Sequence, residues 1–477
     1  MNNIKEILNP FFYPKNVGII GASTKPFKFG NWFLKALIGF GYKGKIYPIN
    51  PHGVDIYGLK SYKKLSDIPE RVELVYITVP VDKTLDSYIE CIEQKVKAVI
   101  ILTAGFKETG DPNFIKVENE LSRLAKESQT RIIGPNCFGV YCPEGGLTLL
   151  PGEEFSKESG AVALLSQSGG VAVEFTRLAN SYGINFSKVI SYGNACDISA
   201  ADLINYLAED PQTKIIAGYF EGMQNGQEFL QSIKNLKKPL ILWKGGLTEA
   251  GARASFSHTG YLASKPGIWN GIYKQFPNII RSDSLQEMFD TLIALIKLPA
   301  PSGRNLAIVG GGGAIGVALS DMANRMGLNV PKLSTEVKFE VKKNLPLDGS
   351  VAANPVDLGN PVYRTTTAFK NILYILINDP TINIIVNDQI SSHIEKSDFR
   401  ALKRILKKIR MEENYPIIMV LRQVSEKKEE LDMEEKHRDA RDAYLSYGIP
   451  VYDSFFRAMQ AIRNYVQFYD KNKKISK

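Results

Sequence analysis

The chain has 477 residues, too many for one ordinary core, because single cores stop growing near roughly 250–300 residues and domains cluster near ~100–150. Hydrophobic residues at 44%, charged ones at 23%, and glycine and proline spread along the whole length exclude disordered and fibrous classes and predict three globular domains. The net charge of +9 does not single out nucleic acid as a partner: the basic residues are scattered, and the densest groups, Lys403-Arg404, Lys407-Lys408 and Lys471, Lys473 and Lys474, read as solvated faces.

In chain order, Met1-Asn2-Asn3-Ile4-Lys5 lacks the apolar region of a signal peptide. Val17-Gly18-Ile19-Ile20-Gly21 then opens a series of short β-branched runs, each followed by a turn and a helical pattern, as in βα units of a parallel sheet. Ile46 to Asn50, Leu74 to Thr78, Ala98 to Leu102 and Arg131 to Gly134 continue it, giving a doubly wound, Rossmann-like α/β domain over residues 1–145. Even the longest apolar runs, such as Ala98 to Leu102, fall far below the roughly 20 residues of a membrane span, so a cytoplasmic protein without membrane attachment is expected. A second series, Val162 to Leu165, Lys188 to Ile190, Ile215 to Tyr219 and Pro239 to Leu242, marks an α/β domain over 150–297. Beyond the Pro/Gly-rich stretch Lys297 to Gly303, strands at Leu306 to Val309, Ile384 to Val386 and Pro416 to Leu421 mark a third over 304–465, with 466–477 as a basic tail. The second and third resemble one another: Gly169 and Gly183, like Gly313 and Gly327, stand 14 residues apart, and both domains read as copies of one flavodoxin-like unit.

Three glycine turns stand before predicted helices, where unpaired N–H groups and the helix dipole favour phosphate. At Gly18-Ile19-Ile20-Gly21-Ala22-Ser23 the spacing is G-x-x-G, and the next strand ends in Asn50-Pro51 without the carboxylate that would hold an NAD ribose. That disfavours an NAD-dependent dehydrogenase and suits a ligand such as CoA, which carries a ribose phosphate. The same turn also serves plain chain reversal. Ser168-Gly169-Gly170 and Gly310 to Gly313 are the other two; as duplicates they could form opposed cradles for one phosphate. No G-x-x-x-x-G-K-[ST] loop is present, so nucleotide chemistry needs another chain.

His258 stands in Ser257-His258-Thr259-Gly260, after a Gly/Ala-rich approach that reads as a small-residue loop. No second ligand lies three or four residues away, and Cys91, Cys137, Cys142 and Cys196 show no paired spacing; neither a metal site nor disulfides are expected. Glu221 follows the strand Ile215 to Phe220 directly and would stand at its carboxyl end, where a carboxylate can hold one imidazole nitrogen and leave the other nucleophilic. Each also admits a structural role.

Taken in order, Gly21-Ala22-Ser23, Gly134-Pro135-Asn136-Cys137-Phe138-Gly139, Ser166-Gln167-Ser168-Gly169, Phe220-Glu221-Gly222, Glu249 to Gly260 and Asn354-Pro355-Val356-Asp357 resemble the NDP-forming acyl-CoA synthetases, relatives of succinyl-CoA synthetase, over nearly the whole chain. The resemblance implies the reaction acyl-CoA + ADP + phosphate ⇌ carboxylic acid + CoA + ATP, run through an acyl phosphate and a phosphohistidine. It implies a Rossmann-like CoA-binding domain followed by two flavodoxin-like domains. His258 takes the phosphohistidine position and Glu221 that of the orienting carboxylate, while Ser168, Gly169, Gly170, Gly311, Gly312 and Gly313 take those of the two phosphate-holding helix ends. CoA would lie against Gly21, Ala22, Ser23, Asn50, Val79, Pro80, Thr103, Ala104, Gly105 and Asn136. ADP or ATP and Mg2+ are expected on an ATP-grasp beta subunit, most simply in an α2β2 assembly. A CoA-binding regulator without turnover is the rival reading, and retention of both His258 and Glu221 argues against it. Two departures stand out: Gly310 to Gly316 replaces an Asn-Ala-Gly-Gly-Pro-Gly run, and Tyr261 occupies a position that is often small.

Overall fold

Each expected β-branched run forms a strand in the computed structural model, which describes residues 4–259, 265–310, 312–345, 350–359, 366–390, 396–422 and 427–475. Among these residues the strands build three sheets. The first contains β1 (Asn16–Ile20), β2 (Lys45–Ile49), β3 (Leu74–Ile77), β4 (Ala98–Ile101) and β5 (Arg131–Ile133), all parallel, in the order β2-β1-β3-β4-β5. The second contains β6 (Gly139–Tyr141), β7 (Val162–Ser166), β8 (Phe186–Ser191), β9 (Ile215–Phe220), β10 (Leu240–Lys244) and β11 (Ile279–Ser282), in the order β11-β10-β9-β7-β8-β6. The third contains β12 (Leu306–Gly310), β13 (Val351–Ala352), β14 (Val356–Asp357), β15 (Ile384–Ile390), β16 (Ile417–Arg422) and β17 (Val451–Tyr452), in the order β13-β14-β12-β15-β16-β17.

Counted from its own first parallel strand, every sheet has the order 2-1-3-4-5, and the second and third each add one antiparallel strand beyond strand 2: β6 against β8, and β13 against β14. The shared topology is the physical counterpart of the duplicated glycine spacing. Strands β1, β3, β4 and β7 are buried along their whole length, as parallel strands covered on both faces must be.

The chain divides into two units, Met1–Leu285 and Gln286–Lys477, so the first two sheets share a unit and the third stands in its own. This differs from the sequence-based division in three places. Strand β6 lies within 1–145 yet pairs with the second sheet. Helix Leu285–Lys297 belongs with the second unit from Gln286 onward: Asp290 receives Arg457 at 2.8 and 2.9 Å, and Glu287 receives Arg463 at 2.8 Å. Residues 466–475 continue helix Phe455–Ile475 instead of forming a tail, because Ala458, Met459, Ile462, Tyr465 and Val466 make one buried apolar stripe.

Within the first unit one apolar cluster runs from Leu8, Phe11 and Phe12 through the first sheet to Leu165, Ile190 and Phe220 of the second. Its two sheets are also tied by polar groups. Arg131 grips Asp197 through two bonds of 2.7 and 2.8 Å, and the buried Asn194 donates to Glu108 at 2.7 Å and Glu118 at 2.9 Å. Lys107 closes that network on Glu118 at 3.0 Å. The four cysteines are buried and unpaired, and no described helix is long and apolar enough to cross a membrane.

Candidate functional site

In a 2-1-3-4-5 sheet the strand order reverses between strands 1 and 3, and ligands bind in the crevice beyond their carboxyl ends. The ten residues expected to meet CoA all follow the carboxyl ends of first-sheet strands: Gly21 to Ser23 after β1, Asn50 after β2, Val79 and Pro80 after β3, Thr103 to Gly105 after β4, and Asn136 after β5. Gly21 has φ +92°, and a Cβ there would stand 2.5 Å from the Thr78 hydroxyl, so glycine is required on both counts. Asn50 braces this turn, donating to the Ala22 carbonyl at 2.7 Å. Thr103 donates to the Val79 carbonyl at 2.6 Å, and Asn136 reaches Thr103 through its backbone N–H at 2.9 Å. The following helix starts only at Phe29, so Ser23 is no helix cap; its hydroxyl accepts from the Lys25 N–H at 3.0 Å.

At the equivalent crevice of the second sheet, Ser168 caps helix Gly169–Ser181, its hydroxyl accepting from the Val171 N–H, and the start of that helix is accessible. Glu221 stands just past β9, as the sequence predicts. It is buried, and its placement is over-determined: the Gln167 side chain accepts from the N–H groups of Glu221 and Gly222, the Tyr219 hydroxyl donates to its carboxylate at 3.0 Å, and Lys244 donates to its carbonyl at 2.7 Å. Burial, followed by the Glu221 charge, raises the Tyr219 phenol far above its usual range and keeps it a donor. Burial pulls Lys244 down to about 8, with the Glu221 charge opposing.

Ser168, Glu221 and Lys244 line a cavity of about 680 Å³ together with Gly251, Ala254 and Ser255. Those last three residues correct one expectation. The approach to His258 is a helix, Glu249–Thr259, not a loop: its alanines favour helix, and the Thr248 hydroxyl accepts from the Gly251 N–H at 3.1 Å. Position 258 falls three, four and seven residues after 255, 254 and 251, which puts its backbone on the helix face that lines the cavity. The side chain of His258, and residues 260–264, lie outside the described ones.

In the second unit Gly312 precedes helix Gly313–Arg325, and Gly311 lies outside the described residues. The Gly312 N–H is already engaged, donating to the Asp357 carboxylate at 3.0 Å; the same carboxylate accepts from Gly359 at 2.9 Å. A protein carboxylate therefore holds part of the helix end assigned to phosphate. Gly313, Asp357 and Asp388 border a largely apolar cavity of about 400 Å³, with Asp388 paired to Arg422 at 2.7 Å. Sequence reasoning gave Asp357 no role, and it passed over Tyr219, Gln167 and Lys244. A lysine ending the apolar run Leu240 to Trp243, immediately before Gly245-Gly246, was the available signal for the last. Among the described residues no group of three or more His, Cys, Asp or Glu could hold a metal ion.

Comparison with known proteins gives concordant results. Residues 15–143 match a CoA binding domain and residues 159–295 a succinyl-CoA ligase like flavodoxin domain. The alpha subunit of the ADP-forming acetate–CoA ligase I of Pyrococcus furiosus is 38% identical over 364 residues, covering 74% of this chain and 76% of that one. The alpha subunit of ligase II from the same organism is 36% identical over 387 residues, covering 80% and 82%. Among solved structures, the dinucleotide-forming acetyl-coenzyme A synthetase 1 of Ca. Korarchaeum cryptofilum, in complex with phosphate and ADP, matches with a TM-score of 0.81 and 30% identity over 100% of this chain and 99% of that one.

Proposed function

This chain belongs to the family of the ADP-forming acetate–CoA ligase alpha subunits, and from that premise we propose that it is the CoA-binding, phosphohistidine-carrying half of a cytoplasmic acyl-CoA synthetase. A phosphate oxygen attacks the thioester carbonyl of acyl-CoA, the C–S bond breaks, and CoA leaves as acyl phosphate forms. An imidazole nitrogen of His258 then takes the phosphoryl group as the bond to the carboxylate oxygen breaks. Finally ADP takes the group from phosphohistidine, giving ATP and free histidine.

The observation that carries this reading is the meeting of Glu221, the Ser168 helix end and Gly251, Ala254 and Ser255, on the helix that leads to His258, around one cavity. The carboxylate orients the imidazole and stabilises its positive charge, and the helix end stabilises the negative charge of the phosphoryl group. CoA binds along the first sheet's carboxyl edge, at Gly21 to Ser23, Asn50, Val79, Pro80, Thr103 to Gly105 and Asn136. Within the second unit, Asp357 holds the turn before Gly313 in shape. ADP and Mg2+ belong to an ATP-grasp beta subunit in an α2β2 assembly; the relatives' designation as alpha subunits supports a two-chain enzyme. A small carboxylic acid is the acyl product, acetate being the acid in those relatives' names. Membership in a family of ligases favours turnover over a regulatory CoA-binding role.

The test is labelling. Incubated with its ATP-grasp partner and γ-labelled ATP, the chain is expected to gain acid-labile, base-stable phosphate, and the His258→Asn variant none. Equal labelling of both would sink the mechanism.

A further inference from the structure

Strand β10 reads Leu240-Ile241-Leu242-Trp243-Lys244, and its last residue is only 4% exposed. A buried ammonium is costly unless something compensates it, and a methionine or leucine would continue this strand without that cost. Two of the three Lys244 N–H groups go to the carbonyls of Glu221 and Gly245, and the ammonium lies 5.5 Å from the centre of the Trp269 ring. Those bonds explain how Lys244 is held, not why a charge is there. The cavity supplies a reason. It is lined by Ser168, Glu221 and Lys244, and a phosphoryl dianion entering it would meet the Glu221 carboxylate at close range. Beside the buried Glu221 carboxylate, repulsion between like charges opposes entry unless a cation offsets it.

We propose that Lys244 is a positioning residue whose ammonium fixes the Glu221 backbone and offsets the Glu221 carboxylate when the phosphoryl group is on the imidazole. The inference rests on the reading of His258 as the phosphoryl carrier. It makes the charge of Lys244 part of the reaction: with burial bringing Lys244 to about 8, the ammonium is present at neutral pH and is lost as pH rises past that value. Of the surrounding groups, Glu221 is the one whose charge bears on it. Tyr219 is held protonated, and Arg281 and Asp283 across the cavity are paired with each other at 2.8 Å. Helix Glu249–Thr259 carries the charged Glu249 and Arg253, and helix Pro266–Gln275 presents Trp269 and Tyr273, whose hydroxyl donates to the Leu242 carbonyl at 3.2 Å.

The experiment measures the second-order rate of label uptake from γ-labelled ATP by the two-chain enzyme, between about pH 6 and about pH 10, for wild type, Lys244→Met and Lys244→Arg. Wild type is expected to lose rate along an alkaline limb near pH 8. Lys244→Met should be slower by roughly 10²-fold at neutral pH while melting no lower than wild type. Lys244→Arg should stay within about 10-fold of wild type and lose the limb, because guanidinium keeps its charge across the range. A Lys244→Met variant labelled at the wild-type rate, or a limb unmoved in Lys244→Arg, would overturn the proposal. If Lys244→Met does not fold, the limb in Lys244→Arg alone decides. Absence of label in wild type would instead refute the underlying role of His258.

Discussion

Replacing Gly169 by alanine would place a methyl carbon 1.9 Å from one ring carbon of Phe138 and 2.5 Å from the next. To restore ordinary carbon–carbon contact near ~3.5 Å, the ring or the helix start has to retreat by roughly 1.5 Å. Overpacking of this kind costs about 1–3 kcal/mol, which in a unit of this size lowers the melting temperature by roughly 2–12 °C. Part of the movement falls on the first turn of helix Gly169–Ser181, so KM for phosphate should rise by at least about 5-fold, the equivalent of ~1 kcal/mol. The assay is a double-mutant cycle with Phe138→Ala, read by calorimetry on the chain and by phosphate dependence of the two-chain enzyme. Removing the ring opens the space the methyl needs, so Phe138→Ala/Gly169→Ala should be less destabilised than the sum of the single changes by about 1 kcal/mol or more. Strict additivity, with KM for phosphate unchanged in Gly169→Ala, would refute the argument that the ring and the glycine together set the helix end.

Two further outcomes concern the buried ion pairs. Lys188 has a fully buried side chain, 2.9 Å from Asp210 and ringed by Phe12, Tyr13 and Tyr206, so Asp210→Asn strands an ammonium and should cost about 3–5 kcal/mol. Burial pushes the Asp210 carboxyl up, but the Thr213 hydroxyl and Lys188 bring it below its ordinary value; its contribution is therefore present above the ordinary carboxylate range and lost on acidification through the depressed value. Melting temperature followed downward from about pH 6 should fall in wild type below ~pH 4, with that component missing from Asp210→Asn. In the second unit, Asp290→Asn removes the bidentate partner of Arg457 but leaves it Asp453 at 2.6 Å, so the cost should be smaller, about 1–3 kcal/mol. Limited proteolysis should then cut first beyond residue 286, and early cleavage within the first unit would count against the division of the chain.

The parts of the site written in local sequence were readable. A serine before two glycines after an apolar run specifies a capped helix at a sheet edge, and Glu221 directly after Ile215 to Phe220 specifies a strand-end carboxylate; both stand where expected. Contacts between distant segments left no such trace. Asp357 reaches Gly312 across 45 residues, and Lys244 reaches the Glu221 carbonyl across 23. The approach to His258 was misread because glycine and small residues suggest a loop, while three alanines in seven positions from 250 to 256 favour helix once Thr248 caps it. Likewise Lys471 to Lys474 suggested a basic tail, although the apolar stripe that carries the last helix begins well before them.

Strand β6 spans only Gly139–Tyr141, yet it crosses from the end of the first sheet to the outer edge of the second. A fragment cut at residue 145 would carry that strand away with the CoA domain, and the remainder would present β8 as an open edge. Its unpaired N–H and C=O groups would invite pairing with another chain. Any engineered separation or exchange of these two lobes has to break before Gly139, since the natural seam of the protein lies inside what the sequence marks as its first domain.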